Sequence, residues 1–489
     1  MRKLLVIAGV PVDDLTMEEV LDRIESFVDS GSFHQIATVN ADFVVQAWDD
    51  PELRYILQVA DILTPDGMPL VWGARLLGVP LYGRVTGADL VPALCERGAQ
   101  RGWRFYFLGA GPGVAVRAAQ VLTARYPGLQ IVGIASPPNL PVVEMDFSVV
   151  EQIREVRPDL LLVAFGNPKQ EKWIHMHGLE LGVKVAIGVG GTFDLIAGKL
   201  QRAPQWMQKG GLEWCYRLFQ EPRRLWRRYV RDLIRFSRFF GEQWWAQQQG
   251  RIPLGVIPQI EEAELNDPVT LKGPLVISFN GPLTVATRET LVSCVEDALL
   301  RSANLVLDAS RLPFVDSAGL GTLVDLSRRA RAAGGDLKLA GALPQVVRTL
   351  ELTQLDRFLT LVPSLEDGLA THRDPLPLLS LTRQVGCWTV LPLPARLDLH
   401  TIPQVRSEAE SALAAVPTLV LDFGSTRFLD SAGIAILLSW HRQARQQGGE
   451  VRLAALSREI RRTLELAGVE SILSLYSSVE EALMQGVSR

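Results

Sequence analysis

Residues 103–115 read W-R-F-Y-F-L-G-A-G-P-G-V-A. Five apolar or aromatic residues run into a turn with three glycines, and small aliphatic residues follow. That is a buried strand, a tight turn and the first turn of a helix. The same order recurs on both sides. An apolar run from His34 to Val39 ends in T-V-N-A-D, and D-I-L-T-P-D-G follows from Asp61. Further on come L-L-L-V-A-F-G-N-P-K-Q-E-K-W from Leu160 and V-A-I-G-V-G-G-T-F-D-L from Val185. Helical patterns at 41–48 and 52–60 separate the first two strands. Strand, polar turn and helix in repetition predict an α/β domain on a parallel sheet. The polar turns then collect beyond the carboxyl ends of the strands, where such sheets bind ligands.

The chain has 489 residues, 47% hydrophobic and 21% charged, enough for two to four domains with ordinary cores. A net charge of −4 gives no general attraction to nucleic acid. Cys95, Cys215, Cys294 and Cys387 are widely spaced and form no C-x-x-C pair, which fits a reducing cytoplasm. The opening M-R-K-L-L-V-I-A-G-V reaches Pro11 and Asp13-Asp14 too soon for a signal peptide and reads as a first strand. Nowhere do 18 apolar residues run together, so no transmembrane helix is expected.

Residues 1–245 hold the strand–turn–helix units, and 246–270, rich in Gln, Pro and Glu, read as a linker. The remainder repeats itself. L-V-L-D-A-S-R-L-P-F-V-D-S-A-G from Leu305 matches L-V-L-D-F-G-S-T-R-F-L-D-S-A-G from Leu419, and R-T-L-E-L recurs from Arg348 and Arg462. The offset is 114 in both pairs, so 271–370 and 384–489 are two copies of one small α/β domain.

Gly109 and Gly111 let backbone N–H groups approach a phosphate at a helix start. The spacing is not G-x-G-x-x-G, and the next strand, L-Q-I-V-G-I-A-S, lacks a terminal acid for an adenosine ribose. A dinucleotide cofactor is therefore disfavoured, and with it an oxidoreductase. Asp66 alone is an ordinary turn aspartate, and Thr38 and Asn40 alone are helix caps. Together they place a carboxylate, a hydroxyl and an amide on neighbouring strand ends, a set suited to activating a hydroxyl acceptor. No D-x-D occurs, so no metal site is expected and a departing diphosphate needs another cation.

The motifs T-V-N-A-D, T-P-D-G, G-R-V-T-G-A-D, F-L-G-A-G-P-G, F-G-N-P-K-Q-E-K-W-I, G-V-G-G-T-F-D and R-A-P-x-W-M-Q-x-x-G-L-E-W-x-Y-R-L-x-x-E-P-R-R resemble the WecG/TagA/CpsF glycosyltransferases. The resemblance implies a Rossmann-like domain that moves a sugar from a UDP-sugar to a polyprenyl-diphosphate-linked acceptor. The members known best use N-acetylmannosamine or its uronic acid, and the products enter cell-surface polysaccharide or teichoic-acid-type polymers. It implies no cofactor. By the resemblance Asp66 is the general base, and Thr38, Asn40 and Gln170 position substrate. Arg84 faces the same cleft, and Gly109, Gly111, Gly190 and Asp194 contact the nucleotide.

From Arg202 to Arg238 there are ten Lys or Arg against three acids, and Trp206, Trp214, Trp226, Trp244 and Trp245 lie in or just after this stretch. Arg224, Arg228, Arg231, Arg235 and Arg238 recur at helical spacing, as do Leu225, Tyr229, Leu233, Phe236 and Phe240. A basic amphipathic helix with aromatic anchors suits an anionic membrane surface; a solvated basic face docked on its own core is the plainer reading. The resemblance implies a helical appendage bound peripherally to the inner face of the membrane. It also implies that Arg217 and Arg224, with Arg227 or Arg228, stabilise the departing diphosphate.

The repeated domains, each with D-S-A-G at a helix start, resemble STAS domains. The resemblance implies docking of a kinase or an anti-sigma-like protein, with Ser317 and Ser431 as phosphorylation candidates; as plain chemistry both are N-caps. Thr284 stands where the second copy has Asp398, which weakens the match of the first copy. The leading expectation is an active transferase whose STAS copies are dispensable for the chemistry. The alternative is a signalling scaffold with an inert transferase block.

Overall fold

The computed structural model describes residues 3–484 except 80, 139–147, 210–211, 221, 250–258, 264–273, 285, 371–381, 400 and 471. Nearly all of 3–370 forms one unit, and the residues from 382 onward belong to a second.

The first unit opens with a hairpin, β1 (Leu4–Ile7) and β2 (Val10–Asp13), turned through Gly9 at φ 83°. Then come α1 (Met17–Ser30), β3 (His34–Val39), α2 (Ala41–Asp49), α3 (Pro51–Val59), β4 (Ile62–Pro65), α4 (Met68–Leu76), α5 (Gly87–Arg101), β5 (Arg104–Gly109), α6 (Val114–Arg125), β6 (Gln130–Ala135), α7 (Ser148–Val156), β7 (Leu160–Ala164), α8 (Lys169–Leu181), β8 (Val185–Gly188) and α9 (Thr192–Ile196). Strands β3 to β8 make one sheet in the order β4-β3-β8-β7-β5-β6, and every neighbouring pair is parallel. Alternation along the strands splits the core into two layers. Ile36, Phe105, Phe107, Leu160, Leu162, Val185 and Ile187 pack on one side, with Val20, Leu90 and Leu122 from helices. Ala37, Val39 and Leu63 pack on the other, with Leu5, Ile7, Phe43 and Leu70. Both faces are thus covered, as a parallel sheet requires.

The basic tail is three helices: α10 (Gln205–Lys209), α11 (Glu213–Gln220) and α12 (Pro222–Gln249). Leu225, Asp232, Phe236, Phe239 and Gln243 form the buried side of α12. Phe239 stacks on Trp48 at 3.9 Å, and Phe240 lies against Gly73 of α4. The apolar set read from the sequence as one face divides: Leu225 and Phe236 are buried, whereas Leu233 is 65% exposed. The buried stripe passes through Asp232 and Gln243, polar residues that hydropathy alone assigns outward.

The first STAS copy comprises β9 (Gln259–Ala263), β10 (Leu275–Asn280), α13 (Arg288–Leu299), β11 (Leu305–Asp308), α14 (Ser317–Ala332), β12 (Leu337–Ala340), α15 (Pro344–Leu352), β13 (Thr360–Val362) and α16 (Leu365–Ala370). Its sheet runs β13-β12-β11-β10-β9. The stretch read as a linker therefore includes the end of α12 and β9, which pairs antiparallel with β10. The second copy comprises β14 (Arg383–Val385), β15 (Trp388–Pro392), β16 (Arg396–Leu397), α17 (Ile402–Ala415), β17 (Thr418–Asp422), β18 (Phe428–Leu429), α18 (Ser431–Gln446), β19 (Glu450–Ala454), α19 (Arg458–Leu466), β20 (Ser474–Tyr476) and α20 (Val479–Met484). Its main sheet runs β14-β15-β17-β19-β20. In both copies the N-cap is the aspartate, not the serine. Asp316 accepts from Gly319 N at 2.7 Å and Asp430 from Gly433 N at 2.8 Å, so Ser317 and Ser431 are the first helical residues.

Candidate active site

All the polar turns lie at one edge of the six-stranded sheet because every strand points the same way. Register pairs Thr38 with Thr64 and Val39 with Pro65, which brings Asn40 beside Asp66. Asp66 N donates to Val39 O at 2.7 Å. Asn40 caps α2, its Oδ1 accepting from Asp42 N at 3.0 Å and Phe43 N at 3.3 Å. A Cβ on Gly67 would lie 3.1 Å from Asn40 Cβ, so the two turns are in contact. Thr38 is buried beneath the start of α5, where a Cβ on Gly87 would meet Thr192 Oγ1 at 2.9 Å and Thr38 Oγ1 at 3.7 Å.

Asp66 sits at the floor of this edge. Burial raises its pKa from 3.8 to about 6, against the fields of Arg217 and Arg84, which lower it. Glu213 and Asp89 push it further up. These groups form a network. Arg84 Nη2 donates to Glu213 Oε2 at 2.9 Å, and Arg202 forks onto Asp89 at 2.6 and 2.7 Å. Arg202 Nε also lies 3.7 Å from Glu213 Oε1. Burial works against the Asp89 carboxylate, yet its hydrogen bonds from Arg202 and Thr86 hold its pKa below the usual value. Glu213, Asp89 and Arg202 join the site without being among the residues expected from the sequence. Asp89 and Glu213 stand inside the quoted motifs, and that was the available signal.

Gln170 does something other than reach for substrate. It is buried, and its Oε1 accepts from Gly166 N at 3.1 Å and Gly190 N at 3.0 Å. Its Nε2 donates to Glu171 Oε1 at 2.7 Å. It thus ties the turn after β7 to the turn after β8. Glu171 is fully buried, and burial raises its pKa from 4.5 to about 8, although the Gln170 bond pulls the other way. A Cβ on Gly188 would come 2.5 Å from the ends of both side chains, so they pack directly against the bare backbone of β8. Asn167, in the same turn, has both amide atoms buried without a hydrogen-bond partner.

At the end of β5, Gly109 has φ 95°, and a Cβ there would meet Ala164 O at 2.8 Å. Helix α6 begins at Val114 with no side-chain cap; Val114 N donates to Gly111 O at 3.0 Å, so only the N–H groups after it in the first turn lack a side-chain partner. Lys199 Nζ lies 3.9 Å from the Cβ position of Gly111 and 3.2 Å from Asp194 Oδ1. A cation, missed in the sequence, therefore stands beside the glycine turn, and Asp194 holds it.

The appendage residues divide. Arg217, on α11, bears on Asp66. Arg227 lies over Trp226 at 5.6 Å and Arg228 over Tyr229 at 5.4 Å. The Arg224 side chain lies outside the described residues. Arg231 and Arg235 face Asp42 and Asp49 of α2 and so dock the helix. Opposite the buried side, Trp226, Val230, Leu233 and Ile234 form an exposed apolar stripe; Trp206, Trp214 and Phe219 of α10 and α11 are exposed as well. No described helix is long and apolar enough to cross a membrane.

The model of the Glycosyl transferase WecG/TagA/CpsF family matches residues 5–250, and that of the STAS domain matches 266–368 and 379–482. An N-acetylglucosaminyldiphosphoundecaprenol N-acetyl-beta-D-mannosaminyltransferase of Bacillus spizizenii is 33% identical over 205 residues, 42% of this chain and 78% of the relative. The protein of that name in Bacillus subtilis is 31% identical over 225 residues, 46% of this chain and 86% of the relative. Among solved structures, the Bacillus cell fate determinant SpoIIAA in its phosphorylated form is 26% identical, with a TM-score of 0.19, over 21% of this chain and 94% of its own. An anti-sigma factor antagonist from Mycobacterium paratuberculosis is 26% identical, with a TM-score of 0.21, over 24% of this chain and 96% of its own. The chain belongs to the WecG/TagA/CpsF glycosyltransferase family and carries two STAS domains behind its transferase block.

Proposed function

We propose that the chain transfers N-acetylmannosamine, or a closely related hexose, from a UDP-sugar to polyprenyl-diphosphate-linked N-acetylglucosamine, without a metal. The relatives' names support the sugar and the acceptor. The observation that carries the chemistry is Asp66, a carboxylate at a strand end with a raised pKa and arginines around it. Its carboxylate takes the proton of the acceptor hydroxyl as that oxygen bonds to the anomeric carbon. The bond from that carbon to the diphosphate breaks, and UDP leaves with the electron pair. Arg217 and Arg224 spread its charge, the work a divalent ion does elsewhere. The nucleotide lies along the Gly109–Gly111 turn and the uncapped start of α6, beside Gly190 and Lys199. Thr38, Asn40 and Arg84 line the acceptor side, and Gln170 holds the floor.

The enzyme works at the inner face of the membrane, seated by the apolar stripe of α12 with Arg223 and Arg227 exposed beside it. The second STAS copy is assigned to a kinase or anti-sigma-like partner, although Ser431 itself is buried. Asp66→Asn is expected to keep the fold and UDP binding and to lower turnover by about 100-fold or more. Near-wild-type turnover in that variant refutes the role.

A further inference from the structure

We propose that the first STAS domain is a fixed part of the transferase: the D-S-A-G face of its helix α14 is committed to the chain's own β1–β2 hairpin and to the end of α12. The inference is independent of which sugar is moved.

The hairpin has two strands of four residues, too little to hold together alone. Leu5, Ile7, Val10 and Val12 point into the transferase core. Leu4 and Val6 alternate to the other face and are buried as well. What packs along them is α14. The approach is backbone-close. A Cβ on Gly321 would stand 2.4 Å from Leu4 O, and the three nearest atoms all belong to Leu4, so only the docked hairpin excludes a side chain there. From the other side, a Cβ on Gly9 would stand 2.4 Å from Thr353 O, just after α15.

Polar groups are matched across the same surface. Gln243 of α12, 2% exposed, accepts from Ala8 N at 2.6 Å and donates to Val6 O at 2.8 Å and Ser317 Oγ at 2.9 Å. One amide thus joins the hairpin turn, the appendage helix and the STAS serine. Arg328 of α14 is buried and donates through Nη2 to Leu57 O at 3.0 Å and through Nε to Gln58 O. Those carbonyls end α3, where a cation is favoured. Buried polar groups paired across a seam mark a lasting interface, because separation costs them those bonds.

Ser317 is fully enclosed in this arrangement. A phosphate there would bring nearly two negative charges into a packed seam. The first copy is therefore closed to a kinase and to an outside partner through that face.

The test uses the full chain, with protease sites inserted between residues 251 and 258 and between 371 and 381. After both cuts, the piece from about residue 259 to 371 is expected to elute with the transferase piece in gel filtration. Its elution as a free fragment overturns the proposal. Gly321→Ala with Arg328→Glu should release it, since alanine suits a helix but not the Leu4 contact. Co-elution of that variant overturns the assigned surface. Ser317→Cys in the uncut chain covers the case in which the double variant misfolds. Its thiol should react with maleimide about 100-fold more slowly than exposed Cys387, read by peptide mass spectrometry. Equal rates overturn the proposal.

Discussion

Asp66 is half-buried and Glu171 fully buried, both with raised pKa values, yet they play opposite parts. Asp66 has to be ionised to accept a proton, and burial moves its titration from 3.8 to about 6. Activity is therefore lost as pH falls. The kcat/KM profile should show an acid limb with its midpoint near 6, and a limb at 4 would mean that Asp66 is not the base. Glu171 serves in its neutral form, beneath Gln170. Its pKa lies near 8 in the folded chain against an ordinary 4.5. Its contribution to stability is complete below 4.5 and is lost as pH rises through about 8. Thermal melts from pH 5 to 9 should show that decline in the wild type. Glu171→Gln keeps an acceptor for Gln170 and should flatten it; an unchanged slope places the decline elsewhere.

Helix α12 shows how one element serves two surfaces. Its inner side is held by Phe236, Phe239 and Gln243, and by Arg231 and Arg235 against α2. Its outer side offers Trp226, Val230, Leu233 and Ile234 to the surroundings. Apolar side chains at i, i+4 and i+7 or i+8 on an exposed face are spaced to lie on a bilayer. Leu233→Glu with Ile234→Glu should leave the melting temperature nearly unchanged and reduce sedimentation with anionic vesicles about tenfold. Undiminished sedimentation moves the membrane contact off this helix. The sequence periodicity located the helix but not its rotation. Gln243 buries an amide that tertiary partners satisfy, and Asp232 buries a carboxylate paired with its neighbour Arg231; no hydropathy pattern records either.

At the scale of the molecule, the transferase sheet was legible because a parallel strand buried on both faces reads as an unbroken apolar run, as Leu160–Ala164 does. The strand-end residues Thr38, Asn40 and Asp66 were legible for the same reason, since polar residues stop those runs. The Glu213–Arg84 and Arg202–Asp89 pairs were not, because each joins residues more than 100 positions apart. Nor was the seating of the first STAS copy, which depends on two glycines, one glutamine and one arginine. It also revises the modular expectation. Residues 1–250 alone leave Leu4, Val6 and Gln243 uncovered, whereas 1–370 keep them enclosed. The shorter form should melt several degrees lower or aggregate, and equal melting temperatures would restore the modular view. The measurement that bears most directly on the account is transfer itself. The purified chain is incubated with UDP-N-acetylmannosamine and a short-chain polyprenyl-diphosphate-linked N-acetylglucosamine, and the lipid product is weighed by mass spectrometry. The account predicts a gain of one N-acetylhexosamine with the wild type and almost none with Asp66→Asn. An unchanged acceptor with the wild type, or equal product from both proteins, contradicts it.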